Sequence, residues 1–235
     1  MNIIDHSNAT LSGLHVPLNK DFLASLRGIR RDRIDLRAGQ EFMSEGDSNS
    51  FLFLVDRGLG LRAKYFEDGR RQIFNILFPN DIVGLQAMMI GQTHHHAVAQ
   101  TDMTLSLIEY AKIRELWRDE LDAVVQTLKA LAFDEVQIMR VLLVTRRLTA
   151  VEALASMLLS IYRRGEHHGL VRDGAMSFPF RQQDLADMLG LSVVHTNKSL
   201  ARLREAGLVE LYERRLAIPD VQALIDVHAL DRNMN

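Results

Sequence analysis

The chain has no cysteine among its 235 residues. It can form no disulfide, and no iron–sulfur cluster can be held by its own thiolates. Aromatic residues are scarce, at 6% with one Trp, whereas apolar residues make up 47%. That balance favours helix packing over an all-β protein. Excess charge of either sign is also missing. With a formal net charge of −2, a bulk-charge argument for nucleic-acid binding fails, and any such case must rest on a local surface. No run of eighteen apolar residues occurs, so no membrane span is expected. Residues 1–16 are polar and lack the basic-then-apolar pattern of a signal peptide, which makes the cytoplasm the expected compartment.

What is present falls into three regions, with expected domain boundaries at 1–110, 111–148 and 149–235. After a short helix near residues 21–26, short apolar runs alternate with turn signals at Gly39, Gly46, Gly58, Gly69, Asn80 and Gly91. Strands at residues 51–55, 59–65, 72–78 and 104–108 separated this way predict a sandwich, jelly roll or barrel. Asp68-Gly69 is the sharpest turn signal, and it predicts that residues 61–66 pair with 72–78 as a hairpin.

From Ala111 the period changes to near 3.6. Leu121, Val124, Leu128, Leu131, Ile138 and Leu142 fall on a and d positions of a heptad, and Glu135 takes the one a position that is not apolar. Val125, Ala132 and Met139 widen the stripe. A second copy of the helix is the natural cover, packing on the chain's own domain the alternative. Thr149 is placed to cap a separate helix, 150–163, which Gly165 is expected to close.

The third region carries the most specific signal. Leu185, Met188 and Leu189 form the inner face of one helix, with Ala186 at the crossing point. Gly190 suits a tight left-handed turn, Leu191 plugs the angle, and Ser192 is a good N-cap. Thr196, Leu200 and Leu203 then form the inner face of a second helix, which Gly207 ends before a strand begins at Leu208. This is a helix-turn-helix with a wing. Its outer face holds Val194, His195, Asn197, Lys198 and Arg202. Lys198 suits guanine or phosphate and Asn197 an adenine edge, while the helix N-terminus at Ser192 favours a phosphate. Residues 176–180 read as a connector, and the short wing at 210–215 contains no glycine.

The whole chain from about residue 21 to 218 resembles the Crp/Fnr family of transcription regulators. The resemblance rests on Gly39 with Glu45-Gly46-Asp47, Gly58, Asp68-Gly69-Arg70-Arg71-Gln72-Ile73 and Phe78-Pro79-Asn80-Asp81-Ile82-Val83-Gly84, followed in order by the long helix and the helix-turn-helix. It implies an α+β protein with an N-terminal double-stranded β-helix (jelly-roll) sensor resembling cyclic-nucleotide-binding domains. A long helix would form a parallel homodimer, and a C-terminal winged helix-turn-helix would bind a near-palindromic operator on duplex DNA. It also implies contact with RNA polymerase. Carried over by position, Val193, Val194 and Lys198 fall where the family reads bases, Asn197 where some branches do, and Gln183, Ser192 and His195 near phosphates. Val193 and Val194 suit thymine methyl groups and predict an operator unlike the family's best-known one.

For the effector, the resemblance points to Gly84, Leu85, Gln86, His95 and His96. Cyclic-nucleotide members carry a Glu for the ribose and an Arg-Ser pair for the phosphate. Here Gln86 lies near the acidic position and His95-His96 replace the pair. Neutral imidazole substitutes poorly for guanidinium, so cyclic AMP is disfavoured and the effector is unknown. His94, His95 and His96 raise a metal or haem reading. On a strand only two of them share a face, too few for a usual site, and an exposed polar turn is the expectation. The same barrel hosts metal-dependent enzymes, but no phosphate loop, nucleophile elbow or carboxylate pair accompanies the histidines, and no enzyme is expected. A DNA-binding protein that has lost effector sensing is the third reading.

Overall fold

A computed structural model describes residues 18–48 and 50–227. Two compact units result, one reaching to Ile138 and one starting at Met139.

The first unit opens with α1 (Lys20–Gly28), capped by the Asn19 side chain, which accepts the Asp21 amide at 2.9 Å. Eight strands follow: β1 (Asp32–Leu36), β2 (Glu41–Met43), β3 (Phe51–Arg57), β4 (Gly60–Tyr65), β5 (Arg71–Leu77), β6 (Ile82–Val83), β7 (His96–Ala99) and β8 (Met103–Glu109). They form two antiparallel four-stranded sheets, in the orders β1-β8-β3-β6 and β2-β7-β4-β5. This is the expected jelly roll. Met43, Phe53, Val55, Leu77, Val83, Ala97, Met103 and Leu105 bury themselves in its core. The predicted hairpin is present, with Tyr65 opposite Arg71 and Lys64 opposite Gln72. Between Arg62 and Ala63 the register slips, because Asn75 faces Arg62 while Ile73 faces Ala63. Phe74 is the extra residue of that bulge, and a bulge re-aims the side chain it carries.

Helix α2 (Leu85–Ile90) interrupts the barrel between β6 and β7, and α3 (Tyr110–Asp119) follows β8. Leu85 joins Phe22, Leu26, Leu52, Leu54, Ile108, Ile113 and Leu116 in a second apolar cluster. Helix α4 (Leu121–Arg147) runs on for 27 residues. Four of its six predicted apolar seam positions are uncovered, with Leu121, Leu128, Ile138 and Leu142 at 77%, 58%, 50% and 57% exposed, whereas Val124 and Leu131 are half-buried and Leu131 packs on the chain's own apolar cluster. Gln126, Thr127, Gln137 and Arg140, on other faces, are buried. No helix among the described residues is long and apolar enough to cross a membrane.

The second unit holds α5 (Ala150–His167), β9 (Ala175–Ser177), α6 (Gln182–Leu189), α7 (Val193–Glu205), β10 (Glu210–Tyr212), β11 (Arg215–Ala217) and α8 (Val221–Ile225). Thr149 caps α5 in a reciprocal box, its amide donating to Glu152 Oε2 at 2.8 Å. Helix α5 packs against α6, α7 and α8, and its Leu154, Leu158 and Ile161 are buried. Two sequence expectations need correction here. Gly165 does not close α5, which continues to His167. Instead a Cβ there would lie 2.6 Å from Met176 Sδ, so glycine permits close helix–strand packing. Residues 176–180 are not merely a connector, because Ala175, Met176 and Ser177 pair with β11 and give the wing a third strand.

Candidate nucleic-acid interface

The turn between α6 and α7 is built locally. Gly190 adopts φ 66°, ψ 30°, and Leu191 returns its amide to the Ala186 carbonyl at 3.1 Å. Ser192 then caps α7, its hydroxyl accepting the His195 amide at 3.2 Å. The Val193 and Val194 amides lie in the first turn, outside the helical ladder, where an anion finds donors. Thr196 is fully buried, and its hydroxyl donates back to the Ser192 carbonyl at 3.1 Å. Leu200 and Leu203 complete the inner face.

On the outer face, Val194 is 66% exposed, and Ser192, His195, Lys198 and Arg202 are exposed beside it. Val193 is half-buried. Asn197 differs from the expected exposed reader, since it is half-buried and its Oδ1 is enclosed without a hydrogen bond. Gln183 is exposed near the start of α6, where its amide donates to Asp187 at 2.7 Å.

The start of α6, where the usual hydroxyl cap is missing, is solved by Asp184. Its buried carboxylate accepts the Arg181 amide at 2.7 Å. The wing turn is solved without glycine. Glu213 and Arg214 take φ 47° and 58°, a mirror-image two-residue turn that costs non-glycine residues about 1 kcal/mol each. The Arg214 carbonyl accepts the Phe178 amide at 2.7 Å, which pins the turn, and Tyr212 stands 55% exposed beside it. Tyr212 was not singled out in the sequence, and it stands exposed at the wing tip at the end of β10.

In the β-roll unit the suggested effector residues separate. Gly84 caps α2 with φ 101°, and a Cβ would stand 3.2 Å from the Phe51 carbonyl oxygen. Leu85 is committed to the apolar cluster and Gln86 faces solvent. The histidines do not form an exposed polar turn. His94 is exposed, but His95 is 4% exposed and accepts a hydrogen bond from Arg62 Nε at 3.1 Å on Nε2. His96 opens β7, with Nδ1 2.8 Å from Glu41 Oε1 and its ring edge-on to Tyr65. Burial first, then the charge of Arg62, pushes the His95 pKa down to about 3. Arg62 itself was missed by sequence reasoning, as was its partner Asp134, which accepts Arg62 Nη1 at 2.7 Å.

Comparison with known proteins agrees with this architecture. Residues 33–120 match the cyclic nucleotide-binding domain family, and residues 152–227 match the Crp-like helix-turn-helix domain family. The nitrogen fixation regulation protein FixK of Rhizobium meliloti is 30% identical over 180 residues, 76% of this chain and 78% of that protein. The transcriptional activator protein FnrL of Cereibacter sphaeroides is 29% identical over 209 residues, 87% of this chain and 83% of that protein. The solved structure of FixK2 from Bradyrhizobium japonicum shares the fold with a TM-score of 0.75 at 24% identity, covering 83% of this chain and 96% of that one. Both halves and their order are thus accounted for, and the chain belongs to the Crp/Fnr family of transcription regulators.

Proposed function

We propose that the protein acts in the cytoplasm as a homodimer through α4, binding a near-palindromic operator with one α7 helix in each half-site. The uncovered apolar stripe of α4 carries this reading. Leu121, Leu128, Ile138 and Leu142 are all more than half exposed or at that limit, whereas the other large apolar residues among those described are mostly buried or half-buried. A second copy in parallel register covers them, as knobs-into-holes packing requires. The two α7 helices then stand about one turn of DNA, ~34 Å, apart.

In the proposed division of labour, Val193, Val194 and Lys198 read base edges, with Asn197 contributing once its amide turns outward. Gln183, Ser192 and His195 hold phosphates, and Arg202 adds positive potential. Residues 1–110 sense an effector, 111–148 dimerise and 149–235 bind DNA. RNA polymerase is the further partner, and the protein performs no catalysis. Light scattering on the wild type and on a Leu128→Glu/Leu142→Glu variant tests the dimer. A dimeric wild type, with a monomeric variant that loses operator binding, supports the proposal. A monomeric wild type that binds a symmetric site unchanged contradicts it.

A further inference from the structure

The exposed face of α4 consists of two rows with a seven-residue repeat. Leu121, Leu128, Glu135 and Leu142 form one row, and all four are exposed. Val125, Ala132 and Met139 form the other, with Val125 41% and Met139 44% exposed. Steps of four and three residues alternate between the rows, which is the spacing of a coiled-coil seam. Val124 and Leu131 are half-buried, and Leu131 packs with Ala130 on the chain's own apolar cluster. The uncovered seam therefore runs through Val125, Ala132 and Met139, one position beyond Val124, Leu131 and Ile138, with Ile138 exposed at its margin. Glu135 lies within this seam. Ala132 and Met139 are its neighbours along it, and Leu128 and Leu142 come next.

We propose, resting on the reading of α4 as a homodimer seam, that Glu135 meets its own counterpart on the second copy and that the dimer forms with one proton shared between the two carboxylates. In a parallel pair each seam residue faces its counterpart, so one acidic position becomes a pair of carboxylates. No cation of the seam reaches them. Leu131, Val136 and Ile138 flank position 135, and the layers before and after it are Ala132 and Met139, all without charge. On α4 itself Lys129 lies almost two turns away, Arg140 is buried on another face, and Arg146 is about three turns further on. Asp134 is held by Arg62 of β4 at 2.7 Å, a pair that is neutral as a whole. Among the described residues Glu135 belongs to no ion pair. Two carboxylates closed into an apolar layer cannot both stay ionised, and a proton held between them removes the repulsion and supplies a hydrogen bond. The dimer thus holds a proton that the separated copies release. Acid tightens it and alkali loosens it, by at most about tenfold in Kd per pH unit. Operator binding, which needs both copies, follows the state of this carboxyl pair.

The test uses the full-length wild type, Glu135→Gln and Glu135→Lys, with Leu128→Glu/Leu142→Glu as the variant that breaks the seam. Glu135 is exposed in the single chain, so neither replacement disturbs the core, and circular dichroism checks that each variant is folded. Dimer Kd is measured by sedimentation equilibrium from about pH 5.5 to about pH 8.5 at constant ionic strength. The wild-type Kd is expected to rise at least about tenfold across that range. Glu135→Gln keeps the shape but has no proton to exchange. Its Kd is expected to change less than about threefold, and to lie at least about tenfold below the wild type's at the alkaline end. The histidines are common to both proteins, so the difference in slope belongs to position 135. An equimolar mixture of wild type and Glu135→Lys is expected to form the heterodimer in preference to either homodimer, because opposite charges then face each other. A Glu135→Gln protein with the wild type's Kd and slope, or a mixture without preference for the heterodimer, overturns the proposal. If that happens while Leu128→Glu/Leu142→Glu is monomeric, the α4 dimer stands and the role of Glu135 alone falls. A seam variant that dimerises like the wild type, or a wild type that is monomeric throughout, removes the α4 interface and this proposal with it.

Discussion

The Ser192 hydroxyl accepts the backbone amide of His195 at 3.2 Å, so the first turn of α7 is closed from within the chain. The same turn offers the Val193 and Val194 amides to a phosphate. Replacing Ser192 with Ala is expected to cost about 1 kcal/mol of stability, and to weaken binding to any DNA sequence more than it changes sequence preference. Urea denaturation and operator titrations at two salt concentrations check both parts.

Gly58 meets Met103 at the sheet corner. With φ at +92°, a Cβ on Gly58 would stand 2.7 Å from Met103 Cγ and 2.9 Å from its Cα. Backbone and side chain are both in the way, so Gly58→Ala is expected to lose at least about 2 kcal/mol. Its urea midpoint falls accordingly.

His95 gives the protein an acid sensitivity with a definite sign. Its pKa is pushed down from 6.5 to about 3, by burial first and Arg62 next. The unfolded chain binds that proton as pH falls through 6.5, and the folded chain does not until about 3. Stability is therefore full above pH 6.5 and declines progressively towards pH 3 by roughly a few kcal/mol. His168, pushed down to about 4 by burial first and then by Arg164, adds a second contribution of the same sign. A His95→Gln variant keeps an acceptor for Arg62 but does not titrate. Its Tm is expected to fall less steeply than the wild type's between pH 6.5 and 4.5, and parallel curves would count against the assignment.

Arg140 is 6% exposed, and its Nη2 makes no hydrogen bond. Burial first, and Arg164 next, pulls its pKa down to about 10. A buried cation with an unmet donor opposes folding, so Arg140→Met, which keeps the aliphatic stem, is expected to raise stability by about 1–3 kcal/mol. An unchanged or lower urea midpoint would show that Arg140 is compensated.

The helix-turn-helix was legible because its signals are local. Gly190, Leu191 and Ser192 sit within three residues, and each has a single backbone task. The exposed stripe of α4 was legible for the same reason, being periodic in one helix. The buried Arg62–Asp134 pair was not. Arg62 and Asp134 lie 72 residues apart, and nothing in either neighbourhood marks a buried ion pair. An arginine between two apolar strand residues reads as the solvent face, and the bulge that turns Phe74 over Arg62 appears only in the strand register. The histidine run misled in the same way: three adjacent polar rings read as one exposed turn, yet the chain enters β7 between His95 and His96 and gives each ring its own surroundings. Gly165 looked like a helix stop because its real constraint, Met176, belongs to another element.

Selection of duplex fragments by the purified full-length protein, repeated with Lys198→Ala, bears on all of this at once. The account predicts a two-fold-symmetric site with half-sites about one helical turn, ~34 Å, apart. Lys198→Ala is expected to bind that site about 1–3 kcal/mol more weakly and to relax preference at one base pair in each half. Recovery of no symmetric site, in buffer and in cell extract alike, or a Lys198→Ala variant with unchanged affinity and preference, would contradict the reading of α7 as the element that recognises DNA sequence.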